Sequence, residues 1–282
     1  MEAVTRFAPS PTGYLHAGHA FSALFAAKAG QRFLLRIEDI DPQRCRPEFE
    51  KAIYEDLAWL GLHWECPVRC QSDHFPDYRK ALESLEQRGL LYPCFCTRAD
   101  IARAGGAPQG DYGPQYPGTC KHLSEPERAE RKATSPHALR LDVDMALKQI
   151  NRPLRWHDRA KGWQETRREY LDDVVLARTL RGTNTAAQVL PASYHLCVTH
   201  DDALQGITLV TRGEDLFTST HIHCLLQNLM GWDTPDYHHH ALLADSHGKR
   251  LAKRDNAPAL RELREQGLTP AQIMANFQGL LS

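Results

Sequence analysis

The sequence has no apolar stretch approaching the roughly 18 residues that a membrane-spanning helix needs. Its first residues, MEAVTRFAPSPTG, hold neither a basic n-region nor an apolar h-region. Neither a membrane span nor an export signal is expected, and the expected location is cytoplasmic. An excess of charge of one sign is also missing, since 34 Lys and Arg stand against 35 Asp and Glu. No global electrostatic pull draws such a chain to nucleic acid, so any RNA contact has to use local basic patches. Candidates are the run of Arg152, Arg155, Arg159, Lys161, Arg167 and Arg168, and the cluster Lys249, Arg250, Lys253 and Arg254. The first reads better as a solvated charged face. Internal repeats and long linkers are absent as well. Cysteine is not scarce: Cys45, Cys66, Cys70, Cys94, Cys96, Cys120, Cys197 and Cys224. Without an export signal disulfides are disfavoured, which leaves buried thiols or metal ligands.

With 282 residues, 42% of them hydrophobic, the chain can form one large domain or a catalytic domain carrying a smaller insertion. Its first third alternates strand and helix, the rhythm of a parallel sheet with helical crossovers. A strand is predicted at 4–7, broken by Pro9, Pro11 and Gly13; a helix follows over 19–29, stopped by Gly30, and then a strand over 33–37. Phe49, Ile53, Leu57 and Leu60 mark one face of a helix that Gly61 ends, and a second amphipathic helix spans 76–87. The stretch 102–118, rich in Gly, Pro, Gln and Tyr, reads as an irregular insertion stabilised by something other than a core, such as a metal. Strands are expected again at 138–143, 173–177, 207–211 and 240–243, with helices at 220–229 and 269–280. Three neighbouring imidazoles, His238, His239 and His240, cannot converge on one ion in an extended strand, because successive side chains point to opposite faces.

Two groups of residues carry the chemistry. His16-Ala17-Gly18-His19 lies where a Pro/Gly loop enters a helix, so unpaired backbone N–H groups and the positive end of the helix dipole attract phosphate there. Imidazoles three apart can donate to a phosphoryl group whose charge grows in the transition state, and Gly18 leaves room for a base or ribose. Taken alone, the pair reads better as a surface or zinc-binding motif. Lys249 to Arg254 is a cation-rich loop preceded by Gly248, suited to closing over a triphosphate; alone it is an ordinary basic loop.

Together these strings resemble a known family. RFAPSPTGYLHAGHA, followed after a helix by LLRIEDIDPQR, is similar to the N-terminal half-site of glutamyl-tRNA synthetases, with His16 to His19 in the place of the HIGH motif. Arg250 to Arg254 resembles the KMSKS signature, with Arg250 replacing its first lysine and Ala252 its serine. The resemblance implies an α/β fold: a class I synthetase Rossmann-like parallel sheet with an inserted zinc-binding/acceptor subdomain and a short helical C-terminus. The implied divisions are residues 1–90 and 191–256 for the two halves of the catalytic domain, 91–190 for the insertion and 257–282 for the C-terminal segment.

The same resemblance implies that His16, Gly18, His19, Arg250 and Lys253 bind ATP, supplied as Mg-ATP, with His16, His19 and Lys253 catalytic. Arg6 and Arg212 would take the side-chain carboxylate of L-glutamate, Glu38 its ammonium, and Ser10 and Tyr194 would complete the pocket. A guanidinium offers a carboxylate a bidentate fork that lysine cannot. Cys94-Phe95-Cys96 with Tyr116-x3-Cys120 matches a zinc site of short synthetase-like relatives, with His122 competing for the fourth position. Such a zinc, about one per chain, would be structural, clipping a loop too poor in apolar residues for a core.

Between Arg254 and the last residue, Ser282, there is room for one or two helices only, not for the helical anticodon-reading domain of a full-length glutamyl-tRNA synthetase. The overall pattern looks like the glutamyl-Q tRNA(Asp) synthetase branch of the family. That implies ATP-dependent activation of glutamate and its transfer to queuosine in the tRNA(Asp) anticodon loop. A truncated synthetase charging the 3′ end of tRNA(Glu), and a non-enzymatic tRNA-binding paralogue, stay open at this point.

Overall fold

The computed structural model describes residues 2–104, 116–178, 192–243, 258–275 and 277. Strand β1 (Val4–Phe7) leads through the Pro/Gly loop into α1 (Ala17–Ala29), then β2 (Arg32–Ile37), α2 (Pro47–Trp59), β3 (Glu65–Cys70) and α3 (Phe75–Gln87). β1 pairs with β2 and β2 with β3, both in parallel, with Arg6 opposite Leu34. The helices bury the faces that their spacing marks: Ile53 and Leu57 on α2, and Tyr78, Ala81, Leu82 and Leu85 on α3. Gly30 follows α1 as expected, for a different reason. Its φ of −117° and ψ of 154° are extended, so it is not a left-handed stop. A Cβ there would lie 2.6 Å from Thr5 Oγ1 and 2.8 Å from the Arg32 carbonyl oxygen, so close approach of β1 excludes a side chain.

The middle of the chain supplies β4 (Leu91–Cys94), α4 (Arg98–Ala104), α5 (Glu125–Thr134), β5 (Ala138–Leu141), α6 (Val143–Ile150), β6 (Leu154–Asp158), β7 (Gly162–Thr166) and β8 (Val175–Arg178). β4, β5 and β8 form a separate antiparallel sheet. The β5 strand is shorter than the run of 138–143 predicts, because the Asp142 carboxylate accepts from Met145 N at 3.0 Å and turns the chain into α6. Next come α7 (Tyr194–Leu204), β9 (Leu209–Gly213), α8 (Ser219–Met230), β10 (Asp236–His240), α9 (Leu260–Glu265) and α10 (Pro270–Ala275).

β10 lies between β9 and β6, parallel to both, and β6 turns back antiparallel into β7. The segment 91–190 therefore feeds two sheets: its hairpin β6–β7 extends the parallel one. The strand expected at 240–243 ends at His240 instead, opposite Gly213, where β9 also ends. Thr208 N donates to the Val4 carbonyl at 3.1 Å and Val4 N to Thr208 Oγ1 at 2.9 Å, which sets β9 beside β1 and joins the two halves. Leu260, Ile273 and Phe277 of the C-terminal segment are buried with Phe21 and Leu57 from α1 and α2. Among the described residues, no helix is long and apolar enough to cross a membrane.

Candidate active site

The seam between β1 and β9 opens at its carboxyl end into a cavity of about 510 Å³, lined by Arg6, Ser10, His16, Gly18, His19, Glu38, Tyr194 and Arg212 among others. That is where an open parallel sheet holds ligands. Residues that the sequence scatters over some 200 positions meet there because β1, β2, β9 and the N-termini of α1 and α7 all end at this edge.

His16 is the N-cap of α1, and its Nδ1 accepts from Gly18 N at 3.1 Å, while His16 N donates to His19 Nδ1 at 3.2 Å. The two rings lie against each other, tilted by 42°, with centroids 3.9 Å apart. A ring nitrogen that accepts carries no proton, so each neutral imidazole keeps its proton on Nε2 and is a donor there. The capping interaction thus sets both the entry of the helix and the tautomer of the two histidines beside the cavity. Arg250, Lys253 and Ala252 lie outside the described residues.

The two arginines expected for the glutamate carboxylate differ in kind. Arg6 is bound by Asp202, Nε to Oδ1 at 2.9 Å and Nη2 to Oδ2 at 3.3 Å, and Nη1 donates to the Thr211 carbonyl at 3.2 Å. Asp202 also takes Arg36 Nη2 at 2.6 Å, so both of these buried cations are compensated. Arg212 is 6% exposed and has only neutral partners among the described residues. Its Nε donates to His239 Nε2 at 3.2 Å, its Nη1 lies 3.1 Å from His223 Nδ1, and its Nη2 meets Thr220 Oγ1 at 2.5 Å.

Glu38 is 9% exposed, and no hydrogen bond to its carboxyl group is found among the described residues; Arg36, its sequence neighbour, is turned to Asp202 and Gln205. Burial pushes the Glu38 carboxyl up to about 7, against the pull of Arg36 and Arg6 and with the push of Asp202 and Asp201. Among the described residues, a buried cation with no hydrogen-bonded anion and a buried acid with no hydrogen-bonded cation therefore face one cavity. Tyr194, the first residue of α7, sits beside His195 and His223, and its hydroxyl has no hydrogen-bond partner among the described residues. Ser10 is exposed at the rim.

Sequence reasoning missed Asp202, His223, His239 and Asp158. In the sequence His239 reads only as one of three neighbouring histidines that cannot share an ion. The β9–β10 register places it directly opposite Arg212, and its Nδ1 lies 2.6 Å from Asp158 Oδ2. The strand alternation that rules out a three-histidine ion site is visible: His239 faces Arg212, while His240 packs on the other side against Phe21 and Ser22. The basic run at 152–168 is a solvated face whose charges are mostly spent locally, on Asp236, Glu214, Glu169 and Asp144.

A second cluster lies at the end of the β4–β5–β8 sheet. The sulfurs of Cys94, Cys96 and Cys120 fall within 4.8 Å of one another, and no histidine, His122 included, joins them among the described residues. Tyr116 Oη is 3.4 Å from Cys94 Sγ and 3.8 Å from Cys96 Sγ, and accepts from Cys120 N at 2.8 Å. Burial and the Cys94 thiol push the Tyr116 hydroxyl up, while the Arg140 guanidinium lies 3.8 Å from its ring centroid. Three thiols and a phenol at these separations fit the donor set of a tetrahedral divalent ion, which would favour the deprotonated forms that burial opposes.

Comparison with known proteins identifies the family. Residues 2–281 match the model of the family described as tRNA synthetases class I (E and Q), catalytic domain. A Rhodobacter capsulatus protein named glutamyl-Q tRNA(Asp) synthetase is 50% identical, over 96% of this chain and 98% of that protein. A Nocardia farcinica protein of the same name is 42% identical, over 96% of this chain and 82% of its own length. The crystal structure of a glutamate-tRNA synthetase from Elizabethkingia anophelis superposes with a TM-score of 0.72 at 29% identity, covering 90% of this chain and 53% of that one. The chain thus spans about half the length of that synthetase.

Proposed function

The chain belongs to the class I tRNA synthetase family of the E and Q type, and from that premise we propose that it activates L-glutamate with ATP and transfers the glutamyl group to queuosine in the anticodon loop of tRNA(Asp). The observation that carries glutamate is the pairing of opposites across one cavity: Arg212, buried without an acidic partner, and Glu38, buried without a basic one, among the described residues. Glutamate supplies the missing charge to each, its side-chain carboxylate to Arg212 and its ammonium to Glu38. Desolvated charges that meet their partners only in the complex favour this ligand over a neutral one. Arg6, Ser10 and Tyr194 complete the pocket, Arg6 as a compensated cation that holds the wall between β1 and α7.

In this reading the glutamate α-carboxylate attacks the α-phosphorus of Mg-ATP, the bond to the β-phosphate oxygen breaks, and pyrophosphate leaves glutamyl-adenylate behind. The Nε2–H groups of His16 and His19 donate to the phosphate oxygens as charge accumulates there, and Gly18 lets the nucleotide approach the backbone. Arg250 and Lys253 are assigned to the same phosphates by their motif. The queuosine nucleophile then attacks the glutamyl carbonyl carbon and AMP departs. Zinc, held by Cys94, Cys96, Tyr116 and Cys120, would be structural, because a closed shell of four protein ligands leaves no position for substrate. The catalytic fold is assigned to 1–90 and 191–256, the insertion to 91–190 with its zinc-binding part on the β4–β5–β8 sheet, and the C-terminal segment to 257–282. A tRNA substrate supports a cytoplasmic location for the reaction.

The test incubates the protein, ATP and labelled glutamate with tRNA(Asp) carrying or lacking queuosine, and with tRNA(Glu). Label is expected only on queuosine-containing tRNA(Asp), in an anticodon-loop fragment after nuclease digestion. Label on the 3′-terminal adenosine of tRNA(Glu) overturns the acceptor and leaves a truncated glutamyl-tRNA synthetase. No glutamate-dependent ATP–pyrophosphate exchange at all leaves a tRNA-binding paralogue.

A further inference from the structure

Arg212 sits in a sleeve of imidazoles. The chain of contacts runs from His195 Nδ1 to His223 Nε2 at 3.1 Å, from His223 Nδ1 to Arg212 Nη1 at 3.1 Å, from Arg212 Nε to His239 Nε2 at 3.2 Å, and from His239 Nδ1 to Asp158 Oδ2 at 2.6 Å. A guanidinium has no lone pair to offer, so His223 Nδ1 and His239 Nε2 must both be acceptors. His239 then carries its proton on Nδ1, toward Asp158, and His223 carries its own on Nε2, toward His195. Each tautomer is set by the hydrogen bond on its far side. Both rings are almost wholly buried, at 2% and 3% exposure.

We propose that His223 and His239 are positioning residues that hold Arg212 by neutral acceptors alone, leaving its charge uncompensated so that the pocket selects a carboxylate over a carboxamide. The proposal rests on the reading of the cavity as a glutamate site. Arg6 shows the contrasting arrangement in the same wall: a carboxylate, Asp202, grips its fork and uses its charge. No acid is hydrogen-bonded to Arg212 among the described residues, and Asp158 reaches it only through the His239 ring, so it fixes the ring without pairing with the guanidinium. The imidazoles stay neutral in this setting. Burial, with Arg212 adding to it, holds His223 well below its ordinary value and His239 down to about 4, where the hydrogen bond to Asp158 works the other way. A second cation beside Arg212 would cost more than either ring can recover from its partners.

The experiment exchanges acceptor for anion at constant shape. His223→Asn keeps an acceptor near the position of Nδ1, and His223→Asp replaces it with a carboxylate that can pair with Arg212. His239→Gln and His239→Glu do the same near the position of Nε2 and stand in if either change at His223 prevents folding. ATP–pyrophosphate exchange is measured with glutamate and with glutamine, alongside melting temperature. In each pair the acidic variant is expected to show a KM for glutamate about tenfold or more above its amide counterpart, an unaltered KM for ATP and a narrower preference for glutamate over glutamine. A merely structural role predicts the reverse, since an ion pair with Arg212 would hold the fold at least as well. Equal glutamate KM values and equal glutamate-to-glutamine ratios within both pairs overturn the proposal. Calorimetric titration of the wild-type protein with glutamate separates the two levels. If it binds glutamate, equal variants sink the histidine role alone; if it does not, the glutamate reading falls and the proposal with it.

Discussion

At the scale of single residues the site sets stability against function, and Glu38 is the sharpest case. Its folded value of about 7 lies above the ordinary 4.5, so the protein binds more protons at this position folded than unfolded. The stability this brings is fully present below about pH 4.5 and is lost as pH rises through about 7, at a cost of roughly 3 kcal/mol at most. Pairing with a substrate ammonium needs the ionised form that folding disfavours. The KM for glutamate should therefore climb as pH falls below about 7, and a flat profile would argue against Glu38 as the ammonium partner. Glu38→Gln should melt higher than wild type at pH 8, converge with it near pH 4.5, and bind glutamate poorly at both. Replacing Arg212 by Ala removes the cation awaiting an anion, and kcat/KM for glutamate activation should fall by about 2–5 kcal/mol in equivalent free energy. A normal value would place the carboxylate on another arginine.

At the scale of elements, α1 combines two tasks at one end. His16 caps the helix through Nδ1 and presents Nε2–H beside the cavity, and an asparagine can take over the first task only. His16→Asn should therefore keep the wild-type melting temperature within a few degrees while slowing adenylate formation about 10²-fold or more, as for loss of a donor to developing charge. If melting and rate fall together, the ring serves the helix rather than the reaction. The other end of α1 depends on Gly30, where Thr5 and the Arg32 carbonyl occupy the space of a Cβ. Gly30→Ala should cost about 1–3 kcal/mol by urea denaturation, because β1 has to move away from the turn.

For the molecule as a whole, the near balance of 34 cations and 35 anions makes tRNA binding a matter of local patches. Binding should still weaken steeply between about 50 and 200 mM salt, in proportion to the phosphates that those patches neutralise, as filter binding across a salt series would show. The β4–β5–β8 sheet is not hydrogen-bonded into the parallel sheet, though its Leu139, Leu141, Leu176 and Ala177 share the parallel sheet's core, and its far end holds the small cluster of Tyr92, Cys94, Tyr116 and Cys120. Elemental analysis should find about one zinc per chain in the wild type and little in Cys94→Ser; equal zinc in both would leave the thiols as buried packing. Glutamate-dependent pyrophosphate exchange should survive that substitution better than it survives Arg212→Ala, because the cluster lies outside the cavity.

The succession β1, α1, β2, α2, the helix α3 and the histidines at the mouth of α1 were legible in the sequence, whereas β3 was not. The legible features are decided by residues a few positions apart, apolar repeats of two or three to four and a cap at a helix entrance, whereas the fold brings Tyr116 to Cys94 from 22 positions away. The β10 boundary, the division of 91–190 between two sheets and the real reason for Gly30 were not legible, since each depends on which strand lies alongside. Arg6 and Arg212 make the distinction plainest, because both were readable as carboxylate-binding arginines. Only the tertiary structure sets Asp202 against Arg6, from 196 positions away, and neutral His239 against Arg212 through the register of β9 and β10. A buried charge is defined by what lies within a few ångströms in a medium that screens poorly, and topology, not spacing along the chain, decides those neighbours.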